Sequence, residues 1–248
     1  MAVKSSLKFF LLKLPVVSIA LFFVLTTIAA IYYPGSVREG IGFECDHYSF
    51  THNFLSELGT FEVNSDETNP FAIKSDNTFS MLLFNFSLLI IGFCIVCFYI
   101  FFSKLFSFIN DNPKAILYAK ISAPLGVIAG IFYAGVGLVP HDLNFFWHVF
   151  FANGAFLTMF FVCFFHSMSI ARSNHISNIY TIGYVSFMIF LGFYLYIIFL
   201  GPKIGPGISY TEADLMLQVV SQKCIVLIFI FSILFQVLGI KKALQNSN

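Results

Sequence analysis

Charge is scarce in this chain. Asp, Glu, Lys and Arg together make up 10% of its 248 residues, against about 25% in an ordinary soluble domain. Too few charges remain to clothe a water-facing surface, which excludes a soluble globular enzyme. The same deficit excludes a disordered chain, a coiled coil and a nucleic-acid binder with a basic face. Cysteine is thin outside the hydrophobic runs. Cys94, Cys97, Cys163 and Cys224 fall inside them, and Cys45 alone lies outside. A single external thiol has no intrachain partner on its side, so no disulfide framework is expected. Cys94 and Cys97 form C-x-x-C, but without the polar surroundings that stabilise a redox thiolate. There is no internal repeat, low-complexity tract or separate soluble domain.

What the chain does have is 58% hydrophobic residues and a mean hydropathy of +0.88. A hydrocarbon core of about 30 Å needs roughly 20 apolar residues per helix. Six runs meet that length: Pro15 to Tyr33, Phe79 to Phe106, Ile116 to Leu138, Phe146 to Ala171, Ile179 to Leu200 and Leu215 to Ile240. They are continuous, without the period-two alternation of barrel strands. The expected fold is an all-α integral membrane protein, with residues 1–248 forming a single six-helix transmembrane bundle. The first run has a basic start and a poor cleavage pattern at Thr27-Ile28-Ala29. Its length exceeds a signal core, so a retained helix is expected.

Basic residues set the expected topology. Lys4, Lys8, Lys13, Lys104, Lys114, Lys120, Arg172, Lys241 and Lys242 fall on one side; Arg38, Lys74 and Lys203 fall on the other. The positive-inside rule puts both termini in the cytoplasm of a multi-pass protein of the cell or plasma membrane. The connection from Pro34 to about Thr78 is then a long external loop. Within it, Asn64 to Asn69 reads as a mobile polar tip, and Tyr48 to Phe61 as a packed segment.

Polar residues at membrane depth carry the functional signal. Lys223 lies in the sixth span, nine residues beyond Asp214, or about 13 Å along the helix. An ammonium there costs about 2.5–3.5 kcal/mol on insertion scales. It should face a polar cavity and find a carboxylate, Glu57 first and Asp142 second. Gln218 and Gln222 share its helix. Between the third and fourth spans, His141, Asp142 and His148 gather near Asn144 and Trp147, Asp142 being a candidate cap of the fourth helix. In the loop, Ser49 to Gly59 reads as a short helix. His52 and Ser56 share one face, Asn53 and Glu57 another, and Gly59 ends it in a left-handed conformation. Asn85 lies in the second span. His166 and His175 lie on the cytoplasmic side and read as structural. The sequon at Asn85 lies within a span.

These motifs resemble a known family. Ser56-Glu57-Leu58-Gly59, Phe84-Asn85-x-Ser87-Leu88 and Gly92 resemble the S-D-L-G, F-N-x-S-L and G pattern of the DUF998 membrane family. Gly137 to Asp142 with His148, Ala152 and Phe156 resembles its G-x-F-P, H, A, F segment. Glu57 replaces the usual Asp, and Val139 replaces Phe. The wider Frag1/DRAM/Sfk1-like group has a similar layout. The resemblance implies a six-span fold and, by analogy with Frag1-type proteins, chemistry on lipid anchors.

The expected site is an outward-facing polar pocket lined by His52, Ser56, Glu57, Asn85, His141, Asp142, His148, Gln222 and Lys223. Both signs of charge suit a zwitterionic or phosphate-bearing headgroup, so a membrane lipid is the expected partner, for recognition or remodelling. Glu57, His52 and His148 are the candidate proton-transfer residues. A second expectation is a zinc-dependent intramembrane hydrolase, with zinc held by three of His52, His141, Asp142 and His148. A third is a small-molecule or proton-coupled transporter, against which stands the absence of paired broken helices.

Overall fold

The computed structural model describes residues 2–64, 73–205 and 207–246. Six helices are long and apolar enough to cross a membrane: α1 (Val3–Ile31), α2 (Thr78–Phe108), α3 (Pro113–Leu138), α4 (Phe145–Ala171), α5 (Thr181–Leu200) and α6 (Glu212–Asn246). The chain is an all-α polytopic membrane protein, as the six apolar runs require. The main difference lies at the first helix, which begins about a dozen residues before Pro15. Lys is a good helix former, so Lys4, Lys8 and Lys13 extend the helix. Pro15 lacks the N–H that would close the turn below it. The chain answers with a π-helical turn at Phe9–Lys13, where the Leu14 N–H reaches the Phe9 carbonyl.

Consecutive helices pack side by side and α6 meets α1, so the six form a ring in chain order. The tightest packing runs through α2, α3 and α4. Between lipid-exposed helices the drive is close approach of small residues. Gly92 on α2 and Gly130 on α3 supply it. A Cβ at Gly92 would sit 2.6 Å from the Gly130 carbonyl oxygen, and one at Gly130 2.5 Å from that of Gly92. Outward-facing rings such as Phe86, Phe93 and Phe231 are more than half exposed, a surface that suits hydrocarbon and not water.

One end of the ring carries both termini. There, buried Asp111 in the α2–α3 turn accepts from the Ser173 hydroxyl and, at 2.7 Å, from the Asn174 N–H. This clasps two helical hairpins together. The other end carries the long connection. Two short antiparallel strand pairs form in it: β1 (Ser36–Arg38) with β2 (Phe43–Cys45), and β3 (Glu62–Val63) with β4 (Ser75–Asp76). The expected polar tip lies, beyond Asn64, outside the described residues.

Candidate functional site

The packed part of the loop descends into the ring. Ser49 to Gly59 is not one helix. Residues 49–53 form a turn and Leu55–Gly59 a 3-10 helix. Glu57 reaches back 2.9 Å to the Phe54 N–H, the carboxylate half of a capping box. Its other contacts come from distant elements. The Arg38 guanidinium of β1 lies 2.6 Å from Oε1. The Asn53 side-chain amide donates to Oε2 at 2.7 Å and the Tyr33 hydroxyl at 3.4 Å. A carboxylate offers about four lone-pair positions, and all four have donors here. Burial, together with the Glu57 charge, pushes the Tyr33 and Tyr48 phenols well above their ordinary pKa. Both therefore stay protonated and can donate.

Lys223 is buried, as its cost demands, but its expected carboxylate partner is not there. Its Nζ donates to the Asn53 carbonyl oxygen at 2.5 Å. The rings of Tyr48 and Phe50 lie 5.3 and 5.1 Å away, within cation–π range. Glu57 is committed to Arg38. Asp142 Oδ2 accepts from the Phe61 and Glu62 N–H groups, at 2.7 and 3.1 Å. Sequence reasoning went astray because it looked for a charge, whereas a backbone carbonyl and two ring faces serve as the partner. Lys223 is one of three ties between the loop and α6. The Leu55 N–H donates to Gln222 Oε1 at 2.9 Å, and His52 Nε2 meets Glu212 at 3.0 Å.

Two further expectations are corrected. Asp142 does not cap α4; the Asn144 side chain does, accepting from the Trp147 N–H at 3.2 Å. Gly59 is not left-handed. Its role is space: a Cβ there would collide with the Asn85 side-chain oxygen, and Asn85 donates to the Gly59 carbonyl at 3.1 Å.

His148, in the first turns of α4, is buried and contacts the Val139 carbonyl through Nδ1 at 2.8 Å. A carbonyl only accepts, so Nδ1 carries the proton in the neutral ring and Nε2 is left as an acceptor. The His141 ring lies 5.7 Å from it, edge to face. His52 sits elsewhere, stacked at 4.1 Å on Phe43 and held by Glu212. Among the described residues, His52, His141, Asp142 and His148 do not converge as a metal-ligand group. Asp142 is engaged by the Phe61 and Glu62 N–H groups, and His52 by Phe43 and Glu212.

Inside the ring lies a cavity of about 660 Å³ to which all six helices contribute. Its wall near the loop is polar, with Arg38, Ser56, Glu57, His141, His148 and Gln222. Farther in it is apolar, with Ile19, Cys94, Ile95, Phe187, Phe229 and Ile233. Gln218 and Ile233 both line it. Fifteen residues separate them on α6, about 22 Å of helix. No family model, curated protein or solved structure matches this chain.

Five of the expected pocket residues line the cavity: Ser56, Glu57, His141, His148 and Gln222. The other four, His52, Asn85, Asp142 and Lys223, stand behind it and hold the loop. Sequence reasoning missed Arg38 and Asn53. Arg38 was counted as an ordinary loop charge, although an arginine among acidic residues is a signal for a buried ion pair. Asn53 was seen only as the i−4 neighbour of Glu57. It is fully buried, and its side chain bridges Ser36 and Glu57, each at 2.7 Å.

Proposed function

We propose that this protein takes up a membrane lipid, with the headgroup against the loop-end wall and an acyl chain along the apolar interior. The carrying observation is the gradient within one cavity, from polar at the loop to apolar about 22 Å farther along α6. A volume of about 660 Å³ falls within the range of small-molecule sites. Lys203 brings positive charge to the wall, the Arg38–Glu57 pair brings both signs, and His148 brings an acceptor nitrogen. That set suits a phosphate-bearing headgroup with hydroxyl or ammonium groups. With Glu57 engaged on every acceptor position, recognition is a better reading than proton transfer by that carboxylate. On the expected topology the headgroup lies in the outer leaflet. The resemblance to DUF998 proteins agrees with the six-span layout and adds no reaction.

Native mass spectrometry of the protein released from gentle detergent tests this reading. A phospholipid adduct of one per chain is expected, and Ala152→Trp, which fills the cavity from α4, should remove it. Folded protein without lipid, or an adduct of equal occupancy in Ala152→Trp, would overturn it.

A further inference from the structure

A second cluster of ligand-type side chains lies outside the cavity, at the end of the β1–β2 hairpin. Among the described residues, Cys45, Asp46 and His47 are the group whose donor atoms converge, all within 4.8 Å of one another. The Cys45 sulfur lies 3.3 Å from His47 Nδ1 and 3.4 Å from Nε2, which places it over the imidazole ring. Asp46 Oδ1 lies 2.8 Å from Nδ1. A tetrahedral zinc ion, with bonds of about 2.0–2.3 Å, separates its donor atoms by roughly 3.3–3.6 Å. The His47 and Asp46 side chains are exposed and free to turn, and rotation of the imidazole brings a ring nitrogen, the thiolate and the carboxylate onto one ion.

We propose that Cys45, Asp46 and His47 form a solvent-facing, three-donor site for a zinc-class divalent cation. Mixed sulfur, nitrogen and oxygen donors favour a borderline-soft ion over calcium or magnesium, which take oxygen. The fourth position stays open to water. The backbone beneath is well braced. Cys45 pairs with Ser36 across the hairpin, and Gly35, at φ +103°, passes so close to Cys45 and Asp46 that a Cβ has no room. The hairpin is also the one that carries Arg38 to the cavity wall, and Ser36 accepts from Asn53. An ion bound at the hairpin end stiffens the strand that presents Arg38. The site itself does not depend on the lipid reading.

The test uses the full chain, stripped with a chelator and titrated with zinc chloride. Retained zinc is measured by elemental analysis, and Cys45 exposure by the rate of labelling with a water-soluble maleimide. One zinc per chain is expected, with Cys45 labelling slowed when zinc is present. His47→Ala, an exposed substitution that leaves the helices untouched, should weaken retention by about tenfold or more, and Cys45→Ser should do the same. His52→Ala and His175→Ala should retain zinc as the parent chain does. Equal retention in His47→Ala, Cys45 labelling that zinc leaves unchanged, or a Cys45-linked covalent dimer forming regardless of zinc would each overturn the proposal.

Discussion

Replacing Lys223 with methionine keeps most of the side-chain volume and deletes the ammonium that meets the loop. The lost contacts are the 2.5 Å hydrogen bond to Asn53 and the two ring faces of Tyr48 and Phe50. A hydrogen bond from a charged group contributes about 1.5–3 kcal/mol, and each cation–π contact about 0.5–1 kcal/mol. The sum is about 2.5–5 kcal/mol of loop docking. The Asn53 carbonyl is not orphaned, because the Tyr48 hydroxyl also donates to it at 3.1 Å. Against the loss stands relief of about 2.5–3.5 kcal/mol for carrying an ammonium in a span. That cost belongs to inserting α6 and is not entered again in docking, because the hydrogen-bond figure is already net of desolvation. The helices keep their own packing, so the bundle's melting temperature should move little, whereas opening of residues 53–60 should rise by roughly two to four orders of magnitude. Amide hydrogen exchange resolved by peptide reads both quantities in one experiment. Exchange of the 53–60 peptide within about tenfold of the parent chain would refute the reasoning.

Three other outcomes are expected. Glu57→Gln removes the anionic half of a buried pair and should cost about 3–5 kcal/mol, seen as a large fall in melting temperature; a change under about 1 kcal/mol would mark the pair as incidental. Tyr33 and Tyr48 have folded-state pKa values raised above their unfolded values, so the folded chain binds more protons than the unfolded one at alkaline pH. Their contribution is fully present below the unfolded value of about 10 and is lost as pH rises above it. Melting at pH 9 and 11 should show that loss, and Tyr48→Phe should reduce it. Gly92→Leu forces α2 from α3 and should destabilise by more than the usual overpacking cost of about 1–3 kcal/mol, because the obstacle is the Gly130 backbone and not a movable side chain.

The spans were legible because hydrocarbon thickness imposes one length on every helix, whatever its side chains. The extension of α1 through Lys4, Lys8 and Lys13 was less legible, since apolar runs mark where a membrane is and not where hydrogen bonding stops. For the site, side-chain chemistry pointed to Ser56, Glu57, His141, His148 and Gln222, which line one cavity. It failed wherever the partner is the backbone. Lys223 binds a carbonyl, Asp142 binds two N–H groups and His148 binds a carbonyl. Every residue carries those groups, so composition cannot point to them. Arg38 was hidden for another reason: β1 and β2, too short to leave a strand pattern, carry it to Glu57.

The ties between the loop and α6 also have a consequence in time. Asn53 and Lys223 are separated by 170 positions. At about 5–20 residues per second, roughly 10–30 s of synthesis lie between them. The loop follows α1, and its latch belongs to α6. During that interval Asn53, Leu55 and His52 lack the α6 partners that later hold them. A ribosome that stalls before α6 leaves a nascent chain whose loop has no latch.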